Sequence, residues 1–199
     1  MPKIEQICSI INTSIQQNVL NTSRYQGAKY NALAEIIKDI DEKKEEIWYP
    51  AIIDNDGECH SVVIDDTYPL QIYHRILSLN NELIDVENFG DENQKLKETA
   101  QMTMIVISDR NILQIQGEDL IELIAVNLPG KLLQSDLNTL HLNSVNIFAS
   151  GEAVIDNEIV YKREYNTREF LLKPNSIIYS LAYTIITVFD KKCFLNCEI

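Results

Sequence analysis

Cys193 and Cys197 stand four positions apart, and Cys59-His60 sets a thiol beside an imidazole. These residue types bind zinc. Structural zinc, however, takes closely spaced cysteine pairs with a second matching pair, and adjacent residues on a strand point to opposite faces. The four are read as tail thiols and strand residues. Asp54-Asn55-Asp56-Gly57-Glu58 has the composition of a calcium loop. An EF-hand loop needs glycine at its sixth position and glutamate at its twelfth. Here Gly57 falls fourth and Asp65 twelfth, so the segment is read as a hairpin turn.

Nucleophilic catalysis finds no matching pattern. There is no G-x-S-x-G elbow, and His60, His74 and His141 have no triad spacing. His74 falls in register with Ile72 and Ile76, as a half-buried strand residue does. Six glycines form neither a P-loop nor a dinucleotide fingerprint. Asp41-Glu42-Lys43 has the residue types of a metal-dependent nuclease but reads as a solvated charge run. The basic pairs Lys162-Arg163 and Lys191-Lys192, with Tyr161, Tyr165 and Phe194 nearby, read as polar rim or as a binder of a partner's carboxylates. No catalytic, cofactor-binding or metal-ligating residue is assigned, and the chain is expected not to be an enzyme. A small hydrolase or nuclease is the alternative within catalysis, and a non-viral cytosolic adaptor the alternative outside it.

The elements that would position these groups follow from pattern. The chain has 199 residues, 45% hydrophobic, with 17 basic and 30 acidic side chains and a net charge of −13. The apolar fraction supports a packed core, within one expected domain over residues 1–199. No apolar run approaches the ~20 residues that span a bilayer, and Glu5, Gln6 and Asn12 interrupt any leader-like stretch at the start. The acidic balance opposes DNA binding through phosphate neutralisation. Four cysteines suit a reducing compartment.

Ile4, Ile7, Cys8, Ile11, Ile15 and Val19 make one helical stripe. Ala28, Ala32, Leu33, Ile36, Ile37 and Ile40 repeat the period and predict a second helix, so residues 1–47 are expected to be a helical pair. From Trp48 the period shortens to that of strands. The runs 49–53 and 61–64 flank the Asn55-Asp56-Gly57 turn, since Asp-Gly tolerates the positive φ of a tight hairpin. Residues 68–79 read as a strand, 80–99 as a long polar loop, 102–108 as the central strand and 118–128 as a helix ended by Pro129-Gly130. Residues 144–148, 153–165 with a break, and 177–189 read as strands.

The last run is the most regular. Ile177, Tyr179, Leu181, Tyr183, Ile185 and Phe189 alternate with Ser180, Ala182, Thr184 and Ile186. One face is bulky; the other is small, as where something approaches closely. A strand of about 40 Å suggests a sheet made for assembly. The expectation is an α+β fold with a mostly antiparallel sheet over residues 48–189, helices packed on one face, and a C-terminal tail at 191–199.

The strand Met102 to Ser108, the helix after it and the alternating closing strand, taken in this order, resemble the tail-terminator or tail-completion family of tailed bacteriophages. The resemblance covers residues 48–190 as an order of elements, without shared signature residues. The opening helical pair and the 80–99 insertion are longer than is usual in that family. Frequent Ile, Asn and Lys fit an AT-rich genome, such as those of the crAss-like gut phages. The resemblance implies a structural virion protein, assembled in the bacterial host cytoplasm. It implies a hexameric or dodecameric ring against portal, connector or tail proteins, with DNA passing through unbound and no membrane involved. Its acidic surface would repel DNA phosphates. Expected interface residues are Asn55, Asp56, Gly57, Phe89, Lys191, Lys192 and Phe194, and no cofactor is expected.

Overall fold

Helix α1, Pro2–Asn18, forms where the sequence places it, and its stripe of Ile4, Ile7, Cys8, Ile11 and Ile15 is buried. The computed structural model describes residues 2–18, 28–40, 44–53, 58–62, 68–84, 94–109, 117–151, 153–165 and 176–190. The strands are β1 Lys29–Leu33, β2 Glu35–Ile40, β3 Glu46–Ile53, β4 Cys59–Ser61, β5 Leu70–Ile84, β6 Lys95–Asp109, β7 Ser144–Ala149 and β8 Ser176–Asp190. The other helices are α2 Gly117–Val126, α3 Gln134–Thr139 and α4 Asn157–Glu164. The protein is α+β with mostly antiparallel sheets.

A five-stranded sheet runs β1-β5-β6-β8-β7, and a three-stranded sheet runs β2-β3-β4. Strand β6, which contains the expected central run 102–108, is the middle strand of the larger sheet. Strands β5, β6 and β8 are each 15 residues long. One end of this sheet, called distal below, carries Ile84, Lys95 and Asp190; the other carries Leu70, Ser108 and Ile177. Strand β1 pairs in parallel with β5 near the proximal end, and β7 pairs with β8 from Val188 to Tyr183, near the distal end.

Alternation sorts side chains between two cores. Ile72, Met104, Val106, Ile177, Tyr179, Leu181, Tyr183, Ile185 and Phe189 face α1, α2 and α3. Tyr73, Ile105, Ile107 and Ile178 face α4 and the smaller sheet. The bulky face expected for β8 is therefore the main core. On its small face the chain comes close at Gly151, where a Cβ would meet Ala182 Cβ at 3.4 Å.

Four expectations need correction. Residues 29–40 form β1 and β2 rather than a second helix. The isoleucines that gave the helical period are β-branched and favour strands, and Glu35 to Ile40 pairs residue for residue with Ala51 to Glu46. Residues 157–164 form α4 rather than strand. Asp156 caps this helix, accepting from Glu158 N and Ile159 N at 2.9 and 3.0 Å, and Lys162 pairs with Glu158 one turn away. The segment expected as an 80–99 loop is strand at 80–84 and 95–99, where β5 continues to Ile84 and β6 starts at Lys95. Its polarity reflects a strand pair solvated near its end, joined by Lys97 and Glu82 at 3.3 Å. The helices do not all share one face, since α4 lies opposite α1, α2 and α3.

Two local features carry stability predictions. Thr187 is buried on the main-core face, and its Oγ1 has no hydrogen-bond partner among the described residues. Thr187→Val removes that hydroxyl at constant shape, and we expect a gain of about 1 kcal/mol in urea unfolding. A loss of stability would mean that the hydroxyl is bonded after all. Helix α3 ends in a Schellman turn: Leu142 N–H donates to Leu137 O at 2.9 Å, and His141 N–H to Asn138 O at 3.2 Å. This requires His141 at φ 53. His141→Gly should raise stability by about 0.5–1 kcal/mol, read as a higher melting temperature.

Candidate functional site

Three features of the described chain have the character of a site: a buried polar relay, a buried ion-pair network and an open sheet edge. The relay starts on α1, where Cys8 and Asn12 are one turn apart on the apolar stripe. It reaches β5 through His74 and β8 through Tyr183, all four residues buried. His74 Nε2 lies 2.8 Å from Asn12 Oδ1, and Tyr183 OH lies 2.7 Å from His74 Nδ1. The Cys8 Sγ stands 3.7 Å from the same hydroxyl. An amide oxygen only accepts, so Nε2 carries the ring proton. Nδ1 then accepts from Tyr183, and the thiol donates to the phenol oxygen.

Thiol, imidazole and amide are the components of a cysteine hydrolase, but the environment holds them in the wrong states. Burial pushes the Cys8 thiol up to about 12. Burial also lowers His74 to about 3. The thiol stays protonated and the base stays weak. Neither cleft described below reaches them. The relay is a polar clamp that holds α1 against the sheet in one register, and His74 is fully buried rather than half-buried.

The second network lies on the other face. Glu164, fully buried at the end of α4, accepts from Arg75 at 2.7 Å, Arg163 at 3.0 Å and Tyr73 OH at 3.3 Å. Tyr165 OH donates to Val62 O at 3.0 Å, and the Tyr161 and Tyr165 rings stack with centroids 5.1 Å apart. The aromatic neighbours of Lys162-Arg163 are thus core residues, which removes them from any surface aromatic-basic patch. Burial raises the Tyr73 and Tyr165 hydroxyls above the usual phenol range. Arg75 also borders a cleft of about 390 Å³ between β5 and the Leu33 to Ile36 segment. A shallower polar hollow, bordered by Lys95, Asn138, His141 and Asp190, lies beside α3.

The open edge is the distal half of β5. Strand β1 follows β5 only as far as His74, and Ala34 N–H donates to His74 O at 2.8 Å. Beyond that, residues 77–84 have no strand on their outer side among the described residues. Leu77, Leu79 and Leu83 are 51%, 42% and 54% exposed. A bulge between Ile76 and Ser78 shifts the alternation. As a result Leu79 and Leu83 share the face of Ile185 and Phe189, on which α1 packs. Helix α1 crosses that face diagonally, from Lys3 over the Phe189 ring to Asn12 beside His74. It leaves the β5 corner uncovered.

Sequence reasoning missed Asn12 and Glu164. A polar residue inside the α1 stripe, one turn from Cys8, was the available signal for the first. The Asp156 cap and the Glu158–Lys162 spacing were the signal for the helix that carries the second. Asn55, Asp56, Gly57, Phe89, Lys191, Lys192 and Phe194 lie outside the described residues, as do Cys193 and Cys197. The strands flanking the turn do pair antiparallel, Ile53 opposite Cys59, as the hairpin requires. Cys59 is exposed on β4. Among the described residues no group of three His, Cys, Asp or Glu side chains is placed to hold a metal ion, and no helix is long and apolar enough to cross a membrane. No protein-family model and no curated protein matches the chain.

Proposed function

We propose that the chain is a structural subunit of a tailed bacteriophage, forming a ring at the portal–tail connector or the tail end. The observation that carries this reading is the shape of the larger sheet. Of its three 15-residue strands, β5 extends distally past the cover of α1, where it presents leucines and an open backbone edge among the described residues. Edges of this kind bind another chain unless they are blunted. The order of elements after Trp48, with the long closing strand, fits tail-terminator proteins, and a charge of −13 suits a surface that DNA passes without adhering. Ring closure needs a heterologous contact, in which different surfaces of neighbouring copies meet.

The test is assembly beside natural neighbours. The chain is produced with the proteins encoded next to it, and molar mass and negative-stain images are recorded. A hexameric or dodecameric ring is expected. A monomer that stays monomeric with those partners present would overturn the reading, and capture of a single non-virion protein would favour an adaptor.

A further inference from the structure

We infer that the open distal edge of β5 is a self-association site, on which a second copy of this chain pairs its own β5 antiparallel about a two-fold axis. This goes beyond the ring reading and does not depend on it, because two-fold and closing heterologous contacts coexist in dihedral assemblies.

Geometry limits the choice of partner strand. The other distal edge of the sheet is β7, and its outer side is already engaged. Ile147 N–H donates to Gly130 O at 3.0 Å, and Lys131 bridges to Asn146. A head-to-tail β5-to-β7 contact would have to displace that segment. The β5 edge has no such cover among the described residues.

Side-chain pattern favours a second copy. With Asn81 opposite the second copy's Asn81, each Leu79 falls opposite the other chain's Leu83 on the face that carries α1. The two uncovered corners then meet across the junction, with a leucine pair on either side of the central Asn81 side chains. On the opposite face Asn80 meets Glu82, an amide donor facing a carboxylate. No other single-residue choice of axis position pairs Leu79 with Leu83 in both halves. A two-fold axis normal to the sheet keeps like faces together, so this register also respects the alternation.

Charge points the same way. Two copies each carrying −13 repel one another over most of their surface. Residues 77–84 hold one ionised side chain, Glu82, and it is paired with Lys97 at 3.3 Å. The edge is thus close to neutral on a strongly acidic molecule, which makes it a place where like copies approach at low electrostatic cost.

The decisive probe is Asn81→Cys in the full chain with Cys59, Cys193 and Cys197 replaced by serine. Opposed residues of an antiparallel pair lie ~5.5 Å apart at Cα, within disulfide reach. Mild air oxidation should convert this variant into a covalent dimer, whereas Asn146→Cys on β7 in the same background should stay monomeric on a non-reducing gel. Sedimentation of the unmodified chain should show a concentration-dependent dimer. The double variant Leu79→Lys with Leu83→Lys should weaken that association by about a hundredfold with an unchanged far-UV spectrum.

A monomer throughout the concentration series would overturn the inference. So would a dimer or ring in which Asn81→Cys fails to cross-link, because assembly would then use another surface. If the lysine variant fails to fold, the cross-linking pair decides alone. A ring without the cross-link leaves the proposed function standing and removes only this contact. A cross-linked dimer that never forms a ring does the reverse.

Discussion

Arg75→Met is expected to destabilise the protein by about 3 kcal/mol, enough to lower its melting temperature by roughly 10 °C. Arg75 makes the shortest contact to Glu164, at 2.7 Å, and the carboxylate has no exposure to water. Removing the guanidinium leaves a buried negative charge held by Arg163 at 3.0 Å and Tyr73 at 3.3 Å. The remaining Arg163 contact keeps the loss at the lower end of the range for broken buried pairs. The charge itself is the source of the cost, so Arg75→Met combined with Glu164→Gln should recover at least half of it, because the amide still accepts from Tyr73. Urea midpoints measure both variants, with an unchanged slope as evidence that the unfolded state is the same. A loss below about 1 kcal/mol for the single variant would show that Arg163 alone suffices.

Acid should act through His74. Its ordinary value of 6.5 is lowered to about 3 in the folded chain by burial. Above pH 6.5 the imidazole is neutral in both states and contributes no pH dependence. As pH falls, the unfolded chain takes up a proton that the folded chain refuses, so stability is lost by about 1.4 kcal/mol per pH unit until the folded value is reached. Between pH 7 and 4.5 that amounts to roughly 2.7 kcal/mol. Other groups titrate in this window, so the comparison is with His74→Met and Asn12→Leu made together, which replaces both partners by apolar groups. The difference between the two stability profiles should be flat above pH 6.5 and slope below it. Parallel profiles at acid pH would mean that His74 takes up a proton without unfolding.

Sequence and fold agree most where one face of an element has a single task. The α1 stripe and the alternation of β8 depend only on burying apolar surface at a fixed period, and both are present as read. Agreement fails where local pattern is ambiguous and pairing decides. Ile36, Ile37 and Ile40 fit a helix as well as a strand, and only the partner strand β3 resolves them. Residues 153–165 read as strand because Val154, Ile155, Ile159 and Val160 are β-branched, yet the Asp156 cap and the Asn157 side chain, which accepts from Ile178 N–H at 3.0 Å, fix a helix there. His74 was visible in the sequence as a strand residue on an apolar face. Its partners were not, because Asn12 and Tyr183 are 62 and 109 positions away.

By itself, then, the sequence determined the fold class, the buried faces of α1 and β8 and the strongly acidic surface, because each follows from residue type and period alone. Only the tertiary structure decided which faces meet and which stay open. Uninterrupted alternation would place Leu79 and Leu83 opposite the face of Ile72, His74 and Ile76. The bulge at Leu77 moves them onto the same face, and the diagonal path of α1 leaves them uncovered. The physical reason is that a strand's period fixes two faces, whereas a single inserted residue and the angle of a packed helix choose which of them is exposed.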